Sequence, residues 1–181
     1  MMISGNKETF ALFIEPIVYI ESMQDYDCFC GFYIKGNKYS SESTQMLYTQ
    51  KESVKVGALC NVIDSEKYFF MGIKECFKVM LSIRYLNFIA ESETEYMDKA
   101  WFDYDYNELI YSANLESSLF GDYRYDLFCI GYKDEVRLIS YKMTNTYFSL
   151  KDLKQYEINE CFIKKNELEK IVYEIEHAAF N

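Results

Sequence analysis

Two apolar runs, Tyr125 to Tyr132 and Val136 to Tyr141, flank the polar dipeptide Lys133-Asp134, and no other feature constrains the fold of this chain as tightly. Successive side chains of a strand point to opposite faces, so apolar runs of this length broken by a short polar turn read as a β-hairpin. A second hairpin is expected earlier. Cys28, Cys30, Phe32 and Ile34 fall on one face of a strand running from Cys28 to Lys35. Gly36-Asn37, flanked by Tyr33 and Tyr39, reads as its turn because both residue types tolerate positive φ. Phe10, Leu12 and Ile14 alternate with Ala11, Phe13 and Glu15 as a further strand, and Pro16 marks a bend or an edge position. Residues 45–63 are ambiguous, although Val54 and Val56 favour strand.

Helical periodicity occurs twice. Ile73, Cys76, Phe77, Met80 and Leu81 recur at the spacing of an apolar helical stripe, which predicts a helix over residues 70–85. Leu168, Ile171, Val172, Ile175 and Ala179 do the same over residues 165–179, leaving Glu167, Lys170, Glu174 and His177 toward water. Ser149-x-x-Asp152 resembles a capping box that would open a short helix. Strands joined by hairpins, without β-α-β crossovers, point to an α+β fold: an antiparallel β-sheet built from hairpins, with a central helix and a C-terminal helix packed on it.

Half of the 181 residues are hydrophobic and 18% are aromatic, with only seven Gly and one Pro. Such a chain buries enough apolar surface to offset the entropy of ordering itself, and no linker-like tract or internal repeat divides it. A single domain over residues 1–181 is expected. No basic segment followed by an apolar one opens the sequence, and the best apolar run, Phe10 to Ile20, is interrupted by Glu15 and Pro16 and too short to span a bilayer. A cytoplasmic location is expected, with the six cysteines reduced. Only Cys28 and Cys30 are close in sequence, and as i, i+2 neighbours of one strand face they read as small core residues.

The net charge of −10 is unevenly placed. Residues 91–126 carry ten acids (Glu91, Glu93, Glu95, Asp98, Asp103, Asp105, Glu108, Glu116, Asp122, Asp126) against Lys99 and Arg124, a local balance of 2 − 10 = −8. Such a field repels nucleic-acid phosphates and anionic lipid heads, and it attracts cations or basic proteins. Neither nucleic acid nor membrane is an expected partner.

Enzyme readings fail on missing parts. The one histidine, His177, lies on the polar side of the last helix, and there is no G-x-S-x-G and no activated cysteine setting to pair with it. No G-x-G-x-x-G or G-x-x-x-x-G-K-[ST] loop exists to cradle a phosphate, so no nucleotide cofactor is expected. Asp103-x-Asp105-x-Asn107 matches the first three ligand positions of an EF-hand loop, but Glu108 stands where the turn needs Gly and Asn114 where a bidentate Glu belongs. No catalytic residue, cofactor or metal is assigned. A metal-binding protein or hydrolase using the Asp103/Asp105/Asn107 cluster is the rival reading, and an adaptor without a toxin partner is a third.

The acidic segment is also aromatic. Tyr96, Trp101, Phe102, Tyr104, Tyr106 and Tyr111 interleave with Glu95, Asp98, Asp103, Asp105 and Glu108. Aromatic rings anchor protein interfaces and carboxylates steer a basic partner, so Glu95, Asp98, Trp101, Asp103, Tyr104, Asp105, Tyr106 and Glu108 are the candidate partner-binding residues. A solvated acidic loop over a core Trp101 and Phe102 would give the same pattern.

One family resemblance runs through most of the chain. Gly5-Asn6 followed by Phe10-Ala11, then Gly31-Phe32-x-Ile34-x-Gly36, resembles the opening of the bacterial immunity protein 42 family of polymorphic toxin systems. Phe120-Gly121-Asp122-Tyr123 and the closing Glu167-Leu168-x-x-Ile171-Val172 are similar to its second half, although Gly121 replaces an aspartate expected after Phe120. The resemblance implies a cytoplasmic protein that binds and neutralises a cognate toxin, and it carries over no catalytic residue. An acidic inhibitor suits a basic toxin, as nucleases generally are.

Overall fold

The computed structural model describes residues 1–22, 25–40, 45–47, 62–80, 125–143 and 153–177. The first sheet is a meander of β1 (Met2–Asn6), β2 (Phe10–Ile20), β3 (Asp25–Ile34) and β4 (Asn37–Ser40), with β5 (Gln45–Leu47) pairing the far end of β3. All its pairings are antiparallel. Phe10, Leu12, Ile14, Cys28, Cys30, Phe32 and Ile34 pack into one core from one face, as their alternation predicts. Ala11 and Phe13 are buried on the opposite face, so β2 is enclosed on both sides through Ile14.

The first hairpin turn lies one residue earlier than its composition predicts. Ile34 pairs with Asn37, leaving Lys35-Gly36 as the two-residue loop. Both loop residues take positive φ, 50° at Lys35 and 79° at Gly36, the twist that matches the flanking strands. This register places Tyr39 opposite Phe32, where the rings stack at 4.8 Å. Backbone bonds from Lys35 to Thr9 and from Gly36 to Lys7 tie this turn to the β1–β2 turn.

The second sheet runs β6 (Val62–Asp64), β7 (Tyr125–Tyr132), β8 (Glu135–Met143) and β9 (Tyr156–Lys164). The hairpin of β7 and β8 turns at Lys133-Asp134, as expected, with Tyr132 opposite Glu135. Three features depart from expectation. The fold is α+β, but its strands form two sheets where one was anticipated, and β6 pairs β7 in parallel. Strand β9 was not anticipated at all; it extends the hairpin antiparallel to β8.

The helices fill the two sides of the second sheet. The helix expected over residues 70–85 is present from residue 73 (α2, described through residue 80, with 81–85 outside the described residues), and a short helix not expected, α1 (Glu66–Phe70), precedes it across Met71-Gly72. Cys76, Phe77 and Met80 are buried as the stripe requires, joined by Val79, against Phe128, Ile130, Ile139 and Tyr141 of the sheet. The C-terminal helix α3 (Lys165–Glu176) buries Leu168, Ile171 and Ile175 in the core shared with the first sheet and the other face of the second. Glu167, Lys170, Glu174 and His177 are exposed, as predicted.

Close approach between α3 and β1 depends on Gly5. Its φ is +96°, and a Cβ there would sit 2.5 Å from the Phe10 carbonyl oxygen and 2.8 Å from Ile171 Cδ1. Next to it, the Ser4 hydroxyl donates to Glu174 Oε2 at 2.5 Å, and the Asn6 side chain accepts from the Glu8 amide at 2.9 Å to close the turn. Val54, Val56, Leu81, Ala179 and the Ser149-x-x-Asp152 box lie outside the described residues.

Candidate partner-binding surface

Arg137 organises the helix-bearing face of the second sheet. Its register places it between Ile130 and Phe162 in a row across three strands, and its side chain is almost fully buried. A buried guanidinium is tolerated only when its donors are satisfied. Here they are: Nε and Nη2 reach Glu160 Oε2 at 2.9 Å and 2.7 Å. Nη1 donates to the carbonyls of Tyr68, Phe69 and Met71 at 3.0, 3.1 and 2.6 Å. Those carbonyls belong to the end of α1 and the corner after it, which a five-residue helix leaves without partners of its own. At the other end of α1 the Ser65 hydroxyl accepts from the Tyr68 amide. The arginine is thus both ion-pair partner and C-terminal cap.

A run of aromatic rings surrounds that corner. Phe162 contacts Phe69 at 5.6 Å, Phe69 contacts Phe70 at 5.2 Å and Tyr132 at 5.6 Å, and Phe70 contacts Tyr132 at 5.0 Å. Phe69 is buried, whereas Phe70 is 66% and Phe162 50% exposed. The Tyr132 hydroxyl donates to Glu66 at 3.1 Å, and Lys133 Nζ lies 4.9 Å from the Tyr132 ring centre. Beside the cluster an open groove of about 600 Å³ is lined by Lys133, Asp134, Lys164, Lys165, Asn166 and Glu169. Within it Lys164 Nζ lies 2.9 Å from Asp134 and 3.2 Å from Glu135, and Lys165 lies 2.6 Å from Asp64. The hydrogen bond from Lys164 holds the Asp134 carboxyl below its ordinary range. The bonds to Asp134 and Glu135 hold the Lys164 ammonium above its own.

Nucleophile chemistry has little footing among the described residues. Cys28, Cys30, Cys76, Cys129 and Cys161 are buried free thiols. Burial pushes Cys30 and Cys161 up to about 12 and Cys76 to about 11, the reverse of the depression that makes a reactive thiolate. His177 is exposed at the end of α3, its ring stacked on Tyr173 at 4.0 Å and Nδ1 2.9 Å from the Tyr173 carbonyl. No three His, Cys, Asp or Glu side chains converge as a metal site among the described residues.

Glu95, Asp98, Trp101, Asp103, Tyr104, Asp105, Tyr106 and Glu108 lie outside the described residues, as does Asn107. The Phe70–Tyr132–Phe162 cluster and its Arg137 clamp escaped sequence reasoning. Phe69-Phe70 ahead of a helical stripe was an available signal; Phe162 was not, because β9 itself was unrecognised.

Two sheets with helices packed on the second define an α+β protein. The family model for immunity protein 42 matches residues 2–178, and the chain belongs to that family. It is an immunity protein, which binds and neutralises a cognate toxin. Its fold is similar to that of CdiI from Burkholderia dolosa AUO158, with a TM-score of 0.62 at 17% identity, covering 96% of this chain and 97% of that one. No curated protein matches the chain. No helix among the described residues is long and apolar enough to cross a membrane.

Proposed function

We propose that this immunity protein acts in the cytoplasm as a single domain, by stoichiometric binding and without chemistry of its own, on a basic toxin such as a nuclease. The contact is made through the acidic-aromatic segment that contains Glu95, Asp98, Trp101, Asp103, Tyr104, Asp105, Tyr106 and Glu108. One observation carries the reading: residues 91–126 hold ten acids against two bases, so −8 of the net −10 sits in one stretch beside the single Trp. A field of that sign draws in a basic protein and accelerates encounter, while nucleic acid and anionic membrane are repelled. The buried, alkaline-shifted thiols and the surface His177 support inhibition by occupation over inhibition by catalysis.

Salt tests the charge reading. The association rate with the toxin falls steeply as sodium chloride rises from low to physiological concentrations and beyond, because screening shortens the reach of the acidic field. An association rate insensitive to salt contradicts it.

A further inference from the structure

The ring cluster of Phe162, Phe69, Phe70 and Tyr132 has no part in the acidic segment, and although Phe69 belongs to the core, the exposed Phe70 and Phe162 do not. We infer that it is the apolar anchor of the toxin interface, seating in an uncharged, apolar pocket of the cognate toxin. The inference rests on the reading that the chain acts by binding, and three observations converge on it.

Exposure comes first. Phe70 and Phe162 stand 66% and 50% exposed, each packed on the buried Phe69, with Tyr132 beside Phe70. Scattered single apolar residues are ordinary on a surface, but a connected aromatic set is the composition of an interface centre.

Rigidity is the second. Arg137 Nη1 holds the carbonyls of Phe69 and Met71, the residues on either side of Phe70. With the backbone pinned on both flanks by a buried side chain, the Phe70 ring has little freedom to fold back onto the core. An anchor already fixed in its bound position loses little entropy on docking, which is what makes such rings effective.

Charge is the third, and it selects the occupant. Among the described residues, the charges nearest the rings are already engaged. Arg137 meets Glu160, Glu66 accepts from Tyr132, Lys133 lies over the Tyr132 ring, and Lys164 bridges Asp134 and Glu135. An apolar partner can cover the rings without breaking the Arg137–Glu160 pair or the Lys164 pairs with Asp134 and Glu135. The complement of such a border is an apolar pocket poor in charge. The acidic segment and the ring cluster then divide the work: carboxylates set the rate of encounter and rings set the residence time.

The test uses the full chain and the toxin whose growth arrest it relieves, inactivated in its own active site, with rates read by surface plasmon resonance. Phe70→Ala and Phe162→Ala each raise the dissociation rate at least roughly tenfold and leave the association rate and its salt dependence unchanged. Tyr173→Ala, which removes an exposed ring from α3, changes neither rate. Thermal melting accompanies each variant, and if one fails to fold the other supplies the reading. Native dissociation rates in a folded Phe70→Ala or Phe162→Ala chain overturn the inference, as does an equal effect of Tyr173→Ala. A concentration-dependent dimer of the free chain that Phe70→Ala dissociates also overturns it, since a second copy would then be the occupant. If the wild-type chain forms no complex, the binding reading itself fails. That outcome is distinct, because no wild-type rate exists to compare.

Discussion

The guanidinium of Arg137 and the carboxylate of Glu160 meet through one oxygen, with Nη2 at 2.7 Å and Nε at 2.9 Å from Oε2, directly beneath the corner that follows α1. Removing the arginine takes the ion-pair partner from a partly buried carboxylate and one donor from each of three carbonyls. Arg137→Met is expected to destabilise the protein by about 3 kcal/mol, read from the urea midpoint. Glu160→Gln keeps an acceptor oxygen but leaves the buried guanidinium without its counter-charge, and costs about 2 kcal/mol. Equal effects for the two would mean that the carbonyl contacts contribute little.

Gly5 and Gly36 separate backbone strain from crowding. Both have positive φ, but a Cβ at Gly5 collides with the Phe10 carbonyl and Ile171, whereas at Gly36 its nearest neighbour is Glu8 Oε2 at 3.6 Å. Gly36→Ala is expected to cost about 1 kcal/mol from conformation alone. Gly5→Ala adds displacement of α3 and costs about 3 kcal/mol in thermal or urea unfolding.

These two glycines also show what was legible beforehand. Gly5-Asn6 and Gly36 were noticed as family positions, and the structure supplies their reasons: contact with α3, an Asn-closed turn, and the hairpin loop. Local patterns were readable, so the alternation in β2, β3, β7 and β8 and the stripe of α3 were all recoverable. The turn at Lys35-Gly36 was read one residue late, because Asn37 tolerates positive φ as well as Lys35 does and only the pairing of Ile34 with Asn37 decides. Non-local relationships were not readable. Val62–Asp64 is too short to announce itself, and its parallel partner β7 lies some sixty residues on. Nothing local marks Arg137 as buried, because the carbonyls that satisfy it lie 66 to 69 residues away.

Buried thiols make the protein sensitive to alkali. Cys30 and Cys161 are pushed from 9.0 to about 12, and Cys76 to about 11, by burial. The unfolded chain therefore loses these protons at a lower pH than the native one. Their contribution to stability is complete below pH 9.0 and declines as pH climbs toward 12. Unfolding free energy should fall over that window, and native thiols should resist iodoacetamide at neutral pH while unfolded ones react. A native Cys30 or Cys161 alkylated at the rate of the unfolded chain would refute the assignment.

The acidic segment makes a kinetic prediction distinct from that of the rings. Asp103→Asn, Asp105→Asn and Glu108→Gln combined should slow association with the toxin by roughly tenfold at low salt and flatten its salt dependence, with dissociation unchanged. A change confined to dissociation would move these residues from steering to direct contact.

Neutralisation by binding is tested most directly by titrating toxin activity with increasing amounts of the chain. Stoichiometric inhibition predicts a linear fall in activity that reaches zero at equimolar chain, with the intact complex recovered by size-exclusion chromatography. Complete inactivation by a small fraction of an equivalent, with no complex formed, would show instead that the chain acts catalytically on the toxin.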